Sequence, residues 1–271
     1  MKADFVLPIH DTTGTMLAQF ERVLPLLEPI ASQIYVGITA ATRAHCPEAV
    51  AQLEGRASIV VIPVLDAAPV GNQFLSLYRT AAETSDADRL LHLCFVDRLI
   101  FALDGTYRAT FLKDMEAVQS APKPVIFARS AQAWATHPAN YRALEGFVTT
   151  LGELLFGLRL DFAWCHFAIR AGRLAGILNG IHQHDLSMMA ELILAVRNDV
   201  VVQEVDWLAW EDPFILGRSP NALRLEREAS LDETQKRLSY VVPMMQALVN
   251  AAGATGSSNI SPFPAAPAST P

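Results

Sequence analysis

Long apolar runs, basic clusters and cysteine pairs are all scarce in this chain, and each shortage removes a class of function. No run of about 18 apolar residues occurs, so no membrane-spanning helix is expected. Lys and Arg number 21 against 28 Asp and Glu, a net charge of −7, with no basic run among them. The electrostatic footprint of a DNA- or RNA-binding protein is missing. A single nucleotide, which needs only a few local groups, stays compatible with that balance. Three cysteines, Cys46, Cys94 and Cys165, with no C-x-x-C, support neither a disulfide framework nor a zinc ribbon. The opening MKADFVLPIHDTTG lacks the longer apolar segment and cleavage site of a signal peptide. A cytoplasmic enzyme or binding protein is the expectation.

Motifs are missing too. No G-x-G-x-x-G follows the first strand-like run, which argues against a dinucleotide site. No G-x-x-x-x-G-K-[ST] and no G-x-S-x-G occur, which argues against a P-loop and an ordinary α/β-hydrolase. What the chain does have is core material: 51% of its 271 residues are apolar and 18% charged. That suits one large α/β domain, with or without a small appendage.

Short apolar runs alternate with helical patterns through the first half. Strands are expected at 4–9, 34–39, 58–64 and 89–97, and helices at 14–33, 46–55 and 70–85. Such alternation predicts a mostly parallel sheet, and SIVVIPV reads as a strand covered on both faces. The second half predicts a helix at 106–118, a strand at 123–130 and a polar aromatic loop, AQAWATHPANY. A helix at 144–158, a strand turning into a helix at 163–179, and a helix at 185–199 with Asp185 as its N-cap follow. A strand then leads into the acidic, aromatic loop WLAWEDPF, before a C-terminal helix.

Ligands of open α/β sheets bind beyond the carboxyl ends of the strands. That rule selects Pro8 to Thr12, with His10 and Asp11, then Thr39 to Arg43, Pro63 to Gly71, and Asp97 with Arg98; Arg129 ends a later strand and is a phosphate candidate. The run LHLCFVDRLIFAL carries Asp97 and Arg98 inside apolar sequence, where charge is costly unless paired or coordinating. Two readings stand for Asp97: an ion pair with an arginine, or a contact to a phosphate or metal. Arg98 is a salt-bridge partner or a phosphate contact. Asp11 caps the next helix or, with His10, flanks a nucleotide. HQHD places His182, His184 and Asp185 close together, so a metal at His184 and a metal-dependent α/β hydrolase form one alternative. Glu211 and Asp212 stand beside Trp207, Trp210 and Phe214, which suits an acceptor site, since aromatic faces pack on sugar rings and carboxylates accept hydroxyl protons. Trp134 and His137 would sit on a loop lining the same cleft.

Four segments resemble the GT-A, family-2-like glycosyltransferases, which are nucleotide-diphospho-sugar transferases. FVLPIHDTTGTML looks like their opening strand, and VGNQFLSLYRTAAE like the helix before their acidic motif. LHLCFVDRL occupies the place of the D-x-D strand, and DLSMMAELILAVRNDVVVQEVDW resembles their late helix and strand. The resemblance spans about residues 4 to 215. It implies a GT-A-like three-layer sandwich and transfer of a sugar from a nucleotide-diphospho-sugar donor to an acceptor it does not identify. It also implies a divalent cation, manganese or magnesium, held at Asp97 against the donor phosphates. Asp185, or the pair Glu211 and Asp212, would supply the acceptor-side base. The D-x-D motif is incomplete: its other acid is replaced by Phe95 or by Leu99, depending on phase. A GT-A-like protein that binds a nucleotide or a partner without transfer is therefore the second alternative. The expected organisation is a transferase domain at 1–220, a helical extension at 221–253 and a disordered tail at 254–271, with a homodimer as one expected assembly.

Overall fold

A computed structural model describes residues 2–64 and 69–254. Most of the expected tail, from 255 onward, and residues 65–68 of the expected ligand-facing stretch Pro63 to Gly71 lie outside the described residues. The first half runs β1 (Ala3–Ile9), α1 (Thr15–Leu27), β2 (Ala31–Thr39), α2 (Ala40–His45), α3 (Pro47–Glu54), β3 (Ile59–Val64), α4 (Val70–Thr84) and β4 (Leu90–Cys94). Then come α5 (Val96–Asp104), α6 (Arg108–Val118), β5 (Val125–Arg129), α7 (Ala131–Thr136), α8 (Ala139–Phe156), β6 (His166–Arg170), α9 (Ala171–Leu178) and α10 (Met188–Val196). The chain closes with β7 (Val201–Val205), a 3-10 turn (Asp206–Leu208), α11 (Asp212–Ile215), α12 (Pro220–Ala229) and α13 (Leu231–Ala254).

The strands form one sheet in the order β3-β2-β1-β4-β6-β5-β7. Only β6, paired with β4 and β5, runs antiparallel to its neighbours. The carboxyl ends of the other strands therefore meet along one edge, where β6 begins. Strand alternation sends Phe5, Leu7 and Ile9 to one face, under α1, α5 and α6, and Val6, Leu91 and Leu93 to the other, under α4, α9 and α10. Phe20 on the first face and Trp164 on the second are fully buried. Each such apolar side chain contributes about 1.5–3 kcal/mol. The result is the mostly parallel sheet that the alternation predicts, in the three-layer α/β sandwich that the resemblance implies.

Three expectations need correction. The strand expected at 89–97 ends at Cys94, and Asp97 lies in the first turn of α5. The spacing of Val96, Leu99, Ile100 and Leu103 is helical, and these residues turn one face into the core. Phe95, still extended, accepts the first helical bond from the Leu99 N–H at 3.0 Å. The expected AQAWATHPANY loop is α7 plus the start of α8, with Ser130 accepting from the Ala133 N–H at 3.0 Å as an N-cap. The C-terminal helix is two helices, separated at Ser230, whose buried Leu223, Val241, Met244 and Leu248 fold back against the sheet domain.

Candidate functional site

Two cavities open at the carboxyl edge of the sheet and share Phe95 and Asp97 in their walls. The first holds about 250 Å³. Its floor is made by the ends of β1 and β2, with Pro8, Gly37 and Thr39, and α4 adds Gln73, Phe74 and Leu77. Gly37 is required by closeness: a Cβ there would stand 2.9 Å from a methyl of Leu77. His10 enters this cavity and is oriented by Thr39, whose hydroxyl lies 3.0 Å from the imidazole Nδ1 and 2.7 Å from the hydroxyl of Thr42.

Asp11 does not line either cavity. Its Oδ1 accepts from the N–H groups of Thr13 and Gly14, and its Oδ2 from the N–H of Leu17 at 3.0 Å. Burial opposes the charge, but these bonds outweigh it and hold the carboxyl below its ordinary range. The turn into α1 uses this side chain fully.

The second cavity, of about 280 Å³, is ringed by charge. Arg98, Arg129, Arg227, Lys236 and Arg237 line it, opposite Asp97, Glu145, Glu211, Asp212 and Glu233. Arg129 is saturated. Its Nε and Nη2 donate to the two oxygens of Asp161 at 2.9 and 2.8 Å, its Nη1 donates to Glu145, and its guanidinium stacks 3.7 Å from the Trp134 ring centre. Glu145 also accepts from Arg237 at 3.1 Å and from the Tyr240 hydroxyl at 2.8 Å. Burial would raise the Glu145 carboxyl, yet the two guanidinium groups pull it down to about 2. Arg98 is buried as well, but among the described residues it has a single ion-pair partner, Glu211. Its other contacts are the Ala209 carbonyl at 3.3 Å and the Nε2 of His137 at 3.4 Å. Burial pushes the Glu211 carboxyl up to about 8, against the pull of Arg98. His137 is held well below its ordinary range, by burial first and then by Arg98 and Arg129, so it stays neutral. Burial also lifts the Cys165 thiol, in the same wall, to about 12, which keeps it an unreactive thiol.

The acidic, aromatic loop splits. Glu211 and Asp212 face the second cavity, whereas Trp210 and Phe214 line a separate cavity of about 400 Å³ with Phe101 and Tyr107. Trp207 belongs to the core, its Nε1 donating to Asp114 at 2.8 Å. The α11 turn thus puts acids and aromatics on different sides, and the expected joint acceptor platform is not formed. Trp134 and His137 support Arg129 and Arg98 and lie in the wall of neither cavity at the sheet edge.

Asp185 lines neither of those two cavities. Its Oδ1 accepts from the Ser187 N–H at 2.8 Å, in the turn before α10, so it closes a turn upstream of the helix it was expected to cap. His184 is exposed, with its Nδ1 against the side-chain oxygen of Asn72. His182 and Gln183 donate backbone N–H groups to Glu191 at 2.8 and 3.0 Å. The HQHD segment is a loop clipped onto α4 and α10, and its side chains do not converge as ligands. Among the described residues one group of three metal-ligating side chains does converge: His92, Cys94 and His166, all buried in the core away from both cavities. There the Nε2 of His92 meets the Nδ1 of His166 at 2.7 Å.

A divalent cation at the shared wall finds a poor fit. Among the described residues Asp97 is the one carboxylate there, and its Oδ1 accepts from the Arg98 N–H at 2.8 Å. Phe95 and the buried Leu99 stand where a second acid would complete the pair. Glu211 is bound to Arg98, and Asp212 faces Arg227 at 3.7 Å. Such an ion can rest on one carboxylate plus substrate phosphates, but here that carboxylate is already bonded to a backbone N–H and acts on the Arg98 guanidinium, which would repel the ion.

The residues that sequence reasoning missed include Glu145, Asp161, Arg227, Glu233, Lys236, Arg237 and Tyr240. The one legible sign was an acid, Glu145, inside the apolar helix LEGFVTTLGELLF.

No family model matches the chain, and no curated protein does. Among solved structures it is similar to glucosyl-3-phosphoglycerate synthase of Mycobacterium tuberculosis, at 16% identity and a TM-score of 0.53, covering 93% of this chain and 81% of that one. The same synthase in complex with uridine diphosphate matches at 14% identity and a TM-score of 0.52, over 93% and 80% of the two chains. At these identities the likeness concerns the fold alone, a GT-A-like α/β sandwich.

Proposed function

We propose that this chain is a glycosyltransferase that takes its sugar from a nucleotide-diphospho-sugar. The observation that carries the reading is the pair of cavities joined at Phe95 and Asp97, one mostly apolar and one ringed by charge. The nucleoside occupies the first cavity, its base against Phe74 and Leu77 and its hydroxyls near Thr39 and His10. Asp97, at the junction, accepts a hydrogen bond from a hydroxyl of the ribose or the sugar. The diphosphate points into the second cavity, where the acceptor also enters. One solved neighbour holds uridine diphosphate, which supports a nucleotide in a fold of this kind.

For an inverting transfer, the acceptor hydroxyl oxygen bonds to the anomeric carbon as the bond from that carbon to the diphosphate oxygen breaks. The electron pair leaves with the nucleoside diphosphate. The hydroxyl proton passes to Asp212, which is partly exposed in the second cavity and only loosely paired with Arg227. Asp185 lines neither cavity and takes no part. No step is routed through a divalent cation, because the residues at Asp97 do not assemble a site for one. Residues 221–253 belong to the site, since Arg227, Lys236 and Arg237 of α12 and α13 line the second cavity.

A thermal-shift series with uridine, guanosine, adenosine, cytidine and thymidine diphosphates tests the reading. One of them at a hundredfold excess over its Kd should stabilise the chain by about 2.7 kcal/mol. Gly37→Leu, which fills the first cavity, should abolish the shift. A series with no stabilising nucleotide would remove the proposal. A second reading, binding without transfer, is favoured by the single carboxylate at Asp97. Stabilisation by a nucleotide, with no release of nucleoside diphosphate from any nucleotide-sugar, would select it.

A further inference from the structure

We infer that Arg98 and Lys236 take the place of a divalent cation, neutralising the donor diphosphate so that it is bound and released without metal. The inference rests on the glycosyltransferase reading and sharpens it. A nucleoside diphosphate leaves as a group of rising negative charge, and some cationic group must meet that charge in the transition state. Two monovalent side chains carry the same charge as one divalent ion. A guanidinium can also hold a phosphate through two parallel hydrogen bonds, which suits a diphosphate entering from one side.

The supply of charge in the second cavity is uneven, and the unevenness picks out these two residues. Arg129 and Arg237 are held by Asp161 and Glu145, with Tyr240 completing the set. Arg227 is paired with Glu233 and faces Asp212. Arg98 is the buried exception, with Glu211 as its one acidic partner. That carboxyl is the one burial pushes to about 8, so near neutral pH it readily takes a proton and leaves the guanidinium free for another anion. Lys236 is exposed, lines the same cavity, and among the described residues forms no ion pair, although Glu233 feels its charge. The Nε atoms of Arg227 and Arg237 add buried donors that have no hydrogen-bond partner among the described residues. Asp97 stands between the two cavities and acts electrostatically on Arg98. A metal ion placed on Asp97 would face the Arg98 guanidinium, like charge against like.

The experiment is a calorimetric titration of the full chain with the nucleoside diphosphate that stabilises it, in EDTA and again in manganese. The expected Kd is the same within about twofold in the two buffers. Lys236→Met, on the surface, should weaken the diphosphate at least about tenfold while leaving the free nucleoside unchanged. Arg98→Met should do the same. Because that change strands Glu211, the double variant Arg98→Met/Glu211→Gln serves as its folded control. Binding that appears only with manganese and vanishes in EDTA overturns the inference while leaving the nucleotide reading intact. Equal diphosphate affinity in wild type and Lys236→Met also overturns it. Binding of no nucleoside diphosphate in either buffer overturns both.

Discussion

Arg98 and Arg129 line the same cavity and are almost equally buried, at 8% and 5% exposure, yet they are built for different tasks. Arg129 has two carboxylates, a carbonyl and an indole face around its fork. Nothing about it invites a further anion. Arg98 has one carboxylate, and that carboxylate is itself reluctant to ionise. A buried guanidinium with every donor answered is a piece of scaffold. One with a replaceable partner is a binding group held in reserve. Burial and charge alone do not separate the two; the state of the partner acid does.

The largest test of this contrast removes the partners. Glu145→Gln leaves Arg129 and Arg237 sharing one fewer charge in a dry wall, and should cost about 3–5 kcal/mol in urea unfolding at pH 7. Glu211→Gln at the same pH should cost nothing and should raise stability, because at pH 7 the unfolded chain ionises this carboxyl more readily than the folded chain does, a penalty the neutral amide does not carry. Equal losses in the two variants would erase the distinction.

The pH dependence of stability sharpens it by opposite slopes. The Glu211 carboxyl is raised from an unfolded value of 4.5 to about 8. Between those limits the folded state holds the extra proton, so stability is greatest at the low end and falls as pH rises, by at most ~1.4 kcal/mol per pH unit. Glu145 moves the other way, from 4.5 to about 2. Its contribution is complete above 4.5 and is lost as pH falls through about 2. Subtracting the Glu211→Gln unfolding curve from wild type should therefore leave a difference that changes only between pH 4.5 and 8 and is flat on either side, and the Glu145→Gln curve a difference that shrinks only in acid. A Glu211→Gln profile as steep as wild type across the neutral range would contradict the assignment.

Much of the frame could be read from the residues, and the contrast just described could not. The alternating runs from β1 to β4 are local signals, each strand bounded by its own helix, so the parallel half of the sheet was visible. The reversal of β6 was not, because its pairing of Leu90 with Arg170 joins distant parts of the chain. LHLCFVDRLIFAL holds both a strand and a helix, and its continuous apolarity masks the break at Phe95, although Val96, Leu99, Ile100 and Leu103 already carry the helical spacing. Asp97, His10 and Pro8 reach the cavity that the strand-end rule selects. HQHD fails as a cluster because neighbours in sequence diverge once the backbone is clipped to Asn72 and Glu191. The Arg129 network was illegible for the reverse reason. Its members are 16 to 32 residues apart, and Arg237 joins from 92 residues beyond Glu145.

The smallest expected effect concerns the indole under Arg129. Trp134 gives the guanidinium a face to rest on at 3.7 Å, and a partly desolvated contact of this kind contributes about 1–2 kcal/mol. Among the described residues no aromatic face lies beneath Arg98 in this way. Trp134→Leu keeps an apolar side chain on α7 and removes the face, so the expected loss in urea unfolding is about 1 kcal/mol. The diphosphate Kd should not move, because Asp161 and Glu145 still fix the Arg129 fork. If the same substitution weakened the diphosphate severalfold, Arg129 would be touching the ligand, and scaffold and binding group would have to be assigned the other way round.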